Sequence, residues 1–500
     1  MNRSRALKLN MAASLFSELV TFASGLILPR LILLYFGSTY NGLVGSISQF
    51  LGFSAIMRAG MGGAVRVALY KPLADNDIHA ISGIMAATDR HMKKLGAIVG
   101  GAILAFALIY PFWVRDEYNV FSAFLMVLII GAGTFVDNFF GIKYKIFLQA
   151  NQKFYIQIGM SAIAQILSTI VSVALILGGF SFEIAKLGAA AAAMLNPIML
   201  SVYVRRRYDI DWRVKGDASV LKQRWDAFFH QVANIVNDNI DLVLITLLLS
   251  LKEVSVYTVH FMVANNIGKI VNSCVTGIES TFGSIVVKEG REHLRKTFFF
   301  AEWYFFSISI ILYSVTATMI SPFVRLYTRS VTDVDYFRPA FATVMVLAIM
   351  MKSVRLPYRM LVEGSGRFKE TRNGAIAEVV VNLLTSVVMV WFFGVIGVLI
   401  GTLAAGIIRT IEFAVYCMRN ILEVTCLHIV KSFSLLSFTF AVCCAAGSLI
   451  VPPEMGDYLQ WAGYAVIVTL VSVLITGGMG ILFYRRQVGE LVQRLRRQRS

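Results

Sequence analysis

Sixteen charged side chains stand out within, or at the edge of, stretches of this chain that are otherwise apolar enough to cross a bilayer. The basic ones are Arg30, Arg58, Arg66, Lys269, Lys352, Arg355, Arg359 and Arg409. Their acidic counterparts are Glu18, Asp137, Asp238, Asp241, Glu279, Glu302, Glu378 and Glu412. A charge at the bilayer centre costs about 2.5–3.5 kcal/mol on insertion scales, so these groups must face protein or water rather than lipid. Arg30, Arg66, Arg359 and Glu302 lie near segment ends, where a side chain can reach the interface. Two stretches resist that reading. His230, Asn234, Asn237, Asp238 and Asp241 recur at helical spacing, and Asn265, Lys269, Asn272, Thr276 and Glu279 do so in the next apolar segment. Such stripes either line a hydrated cavity or join helices through amide hydrogen bonds. Glu18 and Thr21, then Asn41, Gly45, Gln49, Gly52 and Arg58, take the equivalent place near the N-terminus. Lys352, Arg355 and Arg359 form a basic stripe that could receive an anionic headgroup or anchor a helix at inner-leaflet phosphates. Arg409 and Glu412 stand three residues apart and can pair on one helix.

The elements that must hold these groups are membrane helices. Apolar residues make up 57% of the 500, charged residues 15%, and mean hydropathy is +0.70, far above a soluble chain. A spanning helix needs about 20 mostly apolar residues. Fourteen such segments are expected, at 11–35, 41–65, 95–113, 120–141, 156–178, 184–204, 226–250, 256–286, 298–322, 339–361, 374–395, 396–418, 432–452 and 460–484. Glu18 and the Pro29-Arg30 pair mark the first as a retained helix rather than a cleaved signal. A net charge of +17 would suggest nucleic acid for a soluble protein. Here, with Arg66 counted in the membrane and Lys186 with an outer loop at their segment edges, 32 of the 46 Lys and Arg fall in the termini and alternate loops, against 6 in the other loops. That is the positive-inside pattern, with both termini cytoplasmic, and it argues against a nucleic-acid partner. The tail is expected to lie on the anionic inner leaflet. The five cysteines have no zinc-type spacing with histidines, and no Gly-x-x-x-x-Gly-Lys loop is present. No metal, cofactor or catalytic residue is therefore expected.

The second half echoes the first at an offset of about 214 residues. Phe147-Leu148-Gln149-Ala150-Asn151-Gln152-Lys153-Phe154 answers to Leu361-Val362-Glu363-Gly364-Ser365-Gly366-Arg367-Phe368. Tyr144-Lys145 answers to Tyr358-Arg359, Gly188 to Gly401 and Tyr203 to Tyr416. Paired halves in a membrane chain point to a transporter with its path at the repeat interface.

The N-terminal motifs carry a family likeness. Asn10-Met11-Ala12-Ala13-Ser14, Leu28-Pro29-Arg30-Leu31-Ile32-Leu33, Phe36-Gly37, Asn41-Gly42-Leu43, Ser46-Ile47-Ser48-Gln49-Phe50-Leu51 and Leu69-Tyr70-Lys71-Pro72-Leu73-Ala74-Asp75 follow in order. Over roughly residues 8–95 the chain resembles the polysaccharide (O-antigen or capsule type) flippases of the multidrug/oligosaccharidyl-lipid/polysaccharide exporter superfamily. The resemblance implies two six-helix lobes around a central cavity, 1–210 and 211–424, with two added helices in 425–484 and a basic tail at 485–500. It implies a polyprenyl-pyrophosphate-linked oligosaccharide moved from the cytoplasmic to the external leaflet of a bacterial inner membrane. Polysaccharide polymerase and export machinery would be partners beside the membrane lipids. Cavity arginines on the first, second and eighth helices of related flippases suggest Arg30, Arg58 and Lys269 for the pyrophosphate, with Asn265, Asn272, Gln49 and Arg355 completing the substrate site. Glu18, Asp238, Asp241 and Glu279 would balance those cations or carry a coupling proton or sodium ion. A drug or metabolite antiporter of the same superfamily would use Glu18 or Asp241 for a cation. A membrane glycosyltransferase or polymerase would place its chemistry in external loops, the longest of which is 323–338. A scaffold would leave the stripes unexplained.

Overall fold

The computed structural model of the chain describes residues 3–59, 61–214, 228–273, 290–367, 369–452, 454–485, 487 and 489. Among these residues the regular structure is entirely helical, as expected, and they divide into two compact units, Met1–Ser255 and Val256–Ser500. Eleven helical stretches among the described residues are long and apolar enough to cross a membrane. The second and seventh expected spans, and the eighth as far as Ser273, are also present as helix but are shorter or more polar, and 274–286 of the eighth lie outside the described residues.

The first unit runs α1 (Arg3–Tyr35), α2 (Ser38–Gly52), α3 (Met61–Asp75), α4 (Ile78–Trp113), α5 (Val120–Val136), α6 (Ile142–Ala150), α7 (Phe154–Leu177), α8 (Phe182–Ala193), α9 (Leu195–Arg207) and α10 (Phe228–Leu248). It ends in the first turn of α11 (Leu251–Ser273). Side-chain caps start several of these helices: Asp77 accepts from the Ala80 amide, Asn119 from Phe121 and Ser122, and Ser181 from Ile184. The helix expected at 95–113 begins far earlier, at Ile78. Its polar first half had the look of a loop, but Ile81, Ile84, Met85 and Met92 give it a buried face.

Two further departures matter for the site. The second expected span is not continuous: a 3-10 turn at Phe53–Arg58 separates α2 from α3. A π turn at Asp137–Gly141 likewise separates α5 from α6. The apolar core divides at the same level. One cluster gathers Leu43, Ile47, Leu51, Val99, Ile103 and Met126, the other Met61, Val65, Met85, Tyr144, Phe147 and Leu200.

The second unit continues α11 and adds α12 (Arg291–Tyr327), α13 (Pro339–Val354), α14 (Leu356–Gly364), α15 (Arg372–Phe393), α16 (Val395–Tyr416), α17 (Leu427–Ile450) and α18 (Tyr458–Phe483). The last two pack on α12, where Ser314 donates to Ser472 at 3.2 Å and the Trp461 indole to the Met319 carbonyl at 3.0 Å. The tenth expected span bends between α13 and α14, because Pro357 has no amide for a continuing helix and crowds the carbonyl four residues back.

The repeat is visible in the backbone of each unit. Lys153 N bonds Leu148 O at 2.9 Å and Gln152 N bonds Gln149 O at 3.2 Å; Arg367 N bonds Val362 O at 3.1 Å and Gly366 N bonds Glu363 O at 3.0 Å. Both are the paired bonds of a Schellman cap, and both place a left-handed residue, Gln152 (φ 55°) and Gly366 (φ 70°), at the turn. Gly188 and Gly401 also answer each other. The first sits against Val171 and Leu175 of α7, the second against Asn382 and Ser386 of α15, where a Cβ would collide.

Candidate functional site

Arg58 ends the 3-10 turn between the two apolar clusters of the first unit. Its guanidinium Nη1 lies 3.3 Å from Asn138 Oδ1, to which it donates, and 4.0 Å from Asp137 Oδ2. Lys145 reaches the other Asp137 oxygen, Nζ to Oδ1 at 2.5 Å. The side chains of Arg58, Asp137 and Lys145 are 34%, 31% and 23% exposed, so the group is partly accessible where one helix breaks and another widens into a π turn. Two cations against one carboxylate leave it net positive. One turn further along, Arg66 donates to Gln149 at 3.0 Å, and Gln149 to Gln157 at 3.1 Å.

A second polar line in this unit joins α2 to α10 and the start of α11. Ser46 accepts from Tyr110 at 3.0 Å and from Thr246 at 2.9 Å. Asn41 donates to Ser255 at 2.7 Å, and Gln49 to the Asp238 carbonyl at 2.6 Å. Gly42 and Gly52 allow the approach: a Cβ would meet the Leu251 carbonyl at the first and the Asn239 side chain at the second. Glu117, in the loop between α4 and α5, accepts the Leu251 amide with both oxygens, at 2.9 and 3.1 Å. Burial raises the Glu117 carboxyl above the ordinary range, against the opposing effect of the Leu251 and Lys252 amides.

In the second unit the charges are committed to one another. Arg355, at the α13–α14 joint, donates to Glu378 at 2.7 Å. Arg409 lies 3.6 Å from Glu378, donates to Glu412 at 2.5 Å as expected for that pair, and donates to the Thr371 carbonyl at 3.0 Å. The basic stripe expected through Lys352, Arg355 and Arg359 is thus interrupted: Arg355 is buried in an ion pair, and Arg359 lies 3.7 Å from Glu363. Glu302 is 2% exposed rather than at an interface; it accepts from the Tyr358 hydroxyl and lies 2.6 Å from His428 Nε2. Asp89 plays a similar part in the first unit, binding Lys143 and, at 2.8 Å, Lys93.

The remaining expected residues that are described lie on α1, α10 and α11. Glu18 is exposed midway along α1, and Arg30 is half-buried. On α10, Asn234 and Asp238 are exposed and Asp241 is buried, so the stripe runs from an exposed to a buried level. On α11, Asn265 is half-buried, Lys269 and Asn272 are exposed, and Asn272 donates to the Gly268 carbonyl of its own helix at 3.0 Å. Cys274, Thr276, Glu279, the His230 side chain and nearly all of the basic tail lie outside the described residues. The partners of Arg58 were absent from the expected site. Lys145 carried one signal, its place in the half-repeat, and Asp137 another, an acid at membrane depth.

The polysaccharide biosynthesis protein family model matches residues 94–298, C-terminal to the motif string. No curated protein sequence matches the chain. Among solved structures, the lipid II flippase MurJ in an inward closed conformation matches with a TM-score of 0.72 at 15% identity, covering 96% of this chain and 99% of that one. An inward-facing multidrug resistance MATE family transporter of the MOP superfamily matches with a TM-score of 0.62 at 16% identity, covering 82% and 97%. The eukaryotic MATE transporter AtDTX14 gives 0.55 at 14% identity, covering 87% and 99%. At these identities the likeness is one of fold.

Proposed function

We propose that this chain, which has the fold of the multidrug/oligosaccharidyl-lipid/polysaccharide exporter superfamily, is a flippase that carries a polyprenyl-pyrophosphate-linked oligosaccharide from the cytoplasmic to the external leaflet. The observation that carries this reading is Arg58, an arginine toward the inner end of the second expected span that is one-third exposed and lies 4.0 Å from the Asp137 carboxylate. A guanidinium in that state suits a phosphate. Moving a multiply negative headgroup through hydrocarbon is prohibitive unless fixed cations replace its water. The prenyl chain needs no such help and stays in lipid, so no bond is made or broken.

Lys269, exposed on α11, and Arg30 are the further headgroup cations, and Gln49, Asn265 and Asn272 are the amides available to sugar hydroxyls. Arg355 we assign to structure, since Glu378 holds it. Glu18, Asp238, Asp241 and Glu279 balance the cations or load a coupling proton or sodium ion. Both termini are cytoplasmic in this reading, the membrane is a bacterial inner membrane, and polymerase and export machinery receive the product.

The test is leaflet exposure of a labelled lipid-linked sugar in vesicles. Arg58→Ala and Lys269→Ala should lose flipping at normal protein abundance, and wild-type flipping by both would sink the assignment. Glu18, exposed midway along an apolar helix, favours a cation antiporter as the second reading. Cation efflux abolished by Glu18→Gln, with flipping intact, would select it.

A further inference from the structure

We propose that Lys145 is a second cation for the headgroup, and that Asp137 holds it while the site is empty and yields it to a pyrophosphate. The inference rests on the reading of Arg58 given above. It begins from an asymmetry in how one carboxylate is shared. Asp137 Oδ1 is 2.5 Å from Lys145, while Oδ2 is 4.0 Å from Arg58. The lysine is held and the arginine is nearly free of the carboxylate. Both cationic groups lie against one carboxylate, and a diphosphate, with more charge and more oxygens than a monophosphate, gains more from a second cation.

The surroundings keep Asp137 where it is. It opens a π turn, a local widening of the helix that recurs at functional sites. Gly141 stands one turn on, and a Cβ there would come within 2.6 Å of Asp137 Oδ1. A glycine at that position leaves the carboxylate its place. Asn138 completes the group: its carbonyl oxygen takes the Arg58 hydrogen bond while its amide donates to the Thr134 carbonyl at 2.7 Å.

Depth agrees with the source of the ligand. With Ser38 at the external surface, Arg58 lies 20 residues further on, a descent of about 30 Å. Asp137 lies 17 residues beyond Val120, about 26 Å down. The hydrocarbon layer is about 30 Å thick, so the group sits at the level of the inner-leaflet phosphates, where a lipid-linked substrate would be collected.

A resident carboxylate solves a problem that bare cations would create. A carrier must bind its load firmly enough to take it and loosely enough to release it. When the pyrophosphate leaves, Asp137 returns to Lys145, and neither charge is left uncompensated.

Binding of farnesyl pyrophosphate, farnesyl monophosphate and inorganic pyrophosphate to the purified full chain in nanodiscs tests this. The wild type should prefer the prenyl pyrophosphate. Asp137→Asn should tighten that ligand by about tenfold or more, since one nearby negative charge is removed, and tighten the monophosphate less. Lys145→Gln should weaken the pyrophosphate to the level of the monophosphate while leaving the latter unchanged. A retained preference in Lys145→Gln overturns the inference, as does Asp137→Asn that folds and binds no more tightly. Should Asp137→Asn not fold, Lys145→Gln decides alone. Inorganic pyrophosphate binding as well as the prenyl form would remove the lipid from the assignment. If Arg58→Gln binds both prenyl ligands as the wild type does, the headgroup reading of Arg58 fails first, and the two failures are thereby told apart.

Discussion

Replacing Glu378 by Gln should damage the second unit more than replacing any other member of its ion cluster. Glu378 faces two guanidiniums, Arg355 at 2.7 Å and Arg409 at 3.6 Å, whose side chains are 11% and 3% exposed. Without it, Arg409 keeps Glu412 while Arg355 loses the carboxylate it pairs with. Removing one partner of a buried pair costs about 3–5 kcal/mol, because the survivor stays desolvated and uncompensated. For a unit of this size each kcal/mol moves the midpoint by about 2–4 °C, which gives a fall of about 6–20 °C. Arg355→Gln should cost less, because Glu378 keeps Arg409. Neutralising Arg355 and Glu378 together leaves Arg409 with Glu412 and should recover part of the loss, a coupling of about 0.5–3 kcal/mol. Thermal unfolding of the purified variants, followed by tryptophan fluorescence, reads all three. If Glu378→Gln melts with the wild type but transports poorly, the cluster belongs to the substrate path. If Arg355→Gln is the worst variant, the charge accounting itself is wrong.

Single cysteines at Ser38, Asn119 and Gly456, in a cysteine-free background, should label from outside, whereas those at Gly216 and Ser500 should not; an external Gly216 would reverse the topology. Gly42→Ala should destabilise the chain by about 1–3 kcal/mol in chemical unfolding, because the added Cβ meets the Leu251 carbonyl, which no rotamer can move. The line between α2 and α10 should tighten in acid. Since burial raises the Glu117 carboxyl, the packed form binds the proton more strongly than the solvated form does. That contribution is full below the ordinary carboxylate range and lost as pH rises through the raised value. A cysteine at Ser255, corrected against an exposed control, should therefore react more slowly at acid pH, and Glu117→Gln should flatten the profile; faster reaction in acid would refute the sign.

Segment count and the half-repeat were legible because bilayer thickness and the duplicated turn both leave local traces. Arg409 with Glu412 was legible for the same reason, being three residues apart on one helix. The break at Phe53–Arg58 was not, since Phe53, Ala55, Ile56 and Met57 are as apolar as the helix before them. Arg355 misled through periodicity: its spacing to Lys352 and Arg359 makes a stripe only on a straight helix, and Pro357 bends this one. Lys145 with Asp137 spans the π turn, and Glu302 with His428 joins residues 126 apart, so neither pairing has a local period to betray it.

The half-repeat also has a mechanical side. In each unit a nine-residue helix, Ile142–Ala150 or Leu356–Gly364, runs from a joint to a left-handed cap. Buried tyrosines, Tyr144 and Tyr358, clamp each one near its joint. Such a rod is about 13.5 Å long. A bend of about 10° at the joint would carry its far end about 2 Å. A crank of that throw, present once in each half, would turn a small rearrangement at Lys145 or Arg355 into a displacement of the whole turn beyond it.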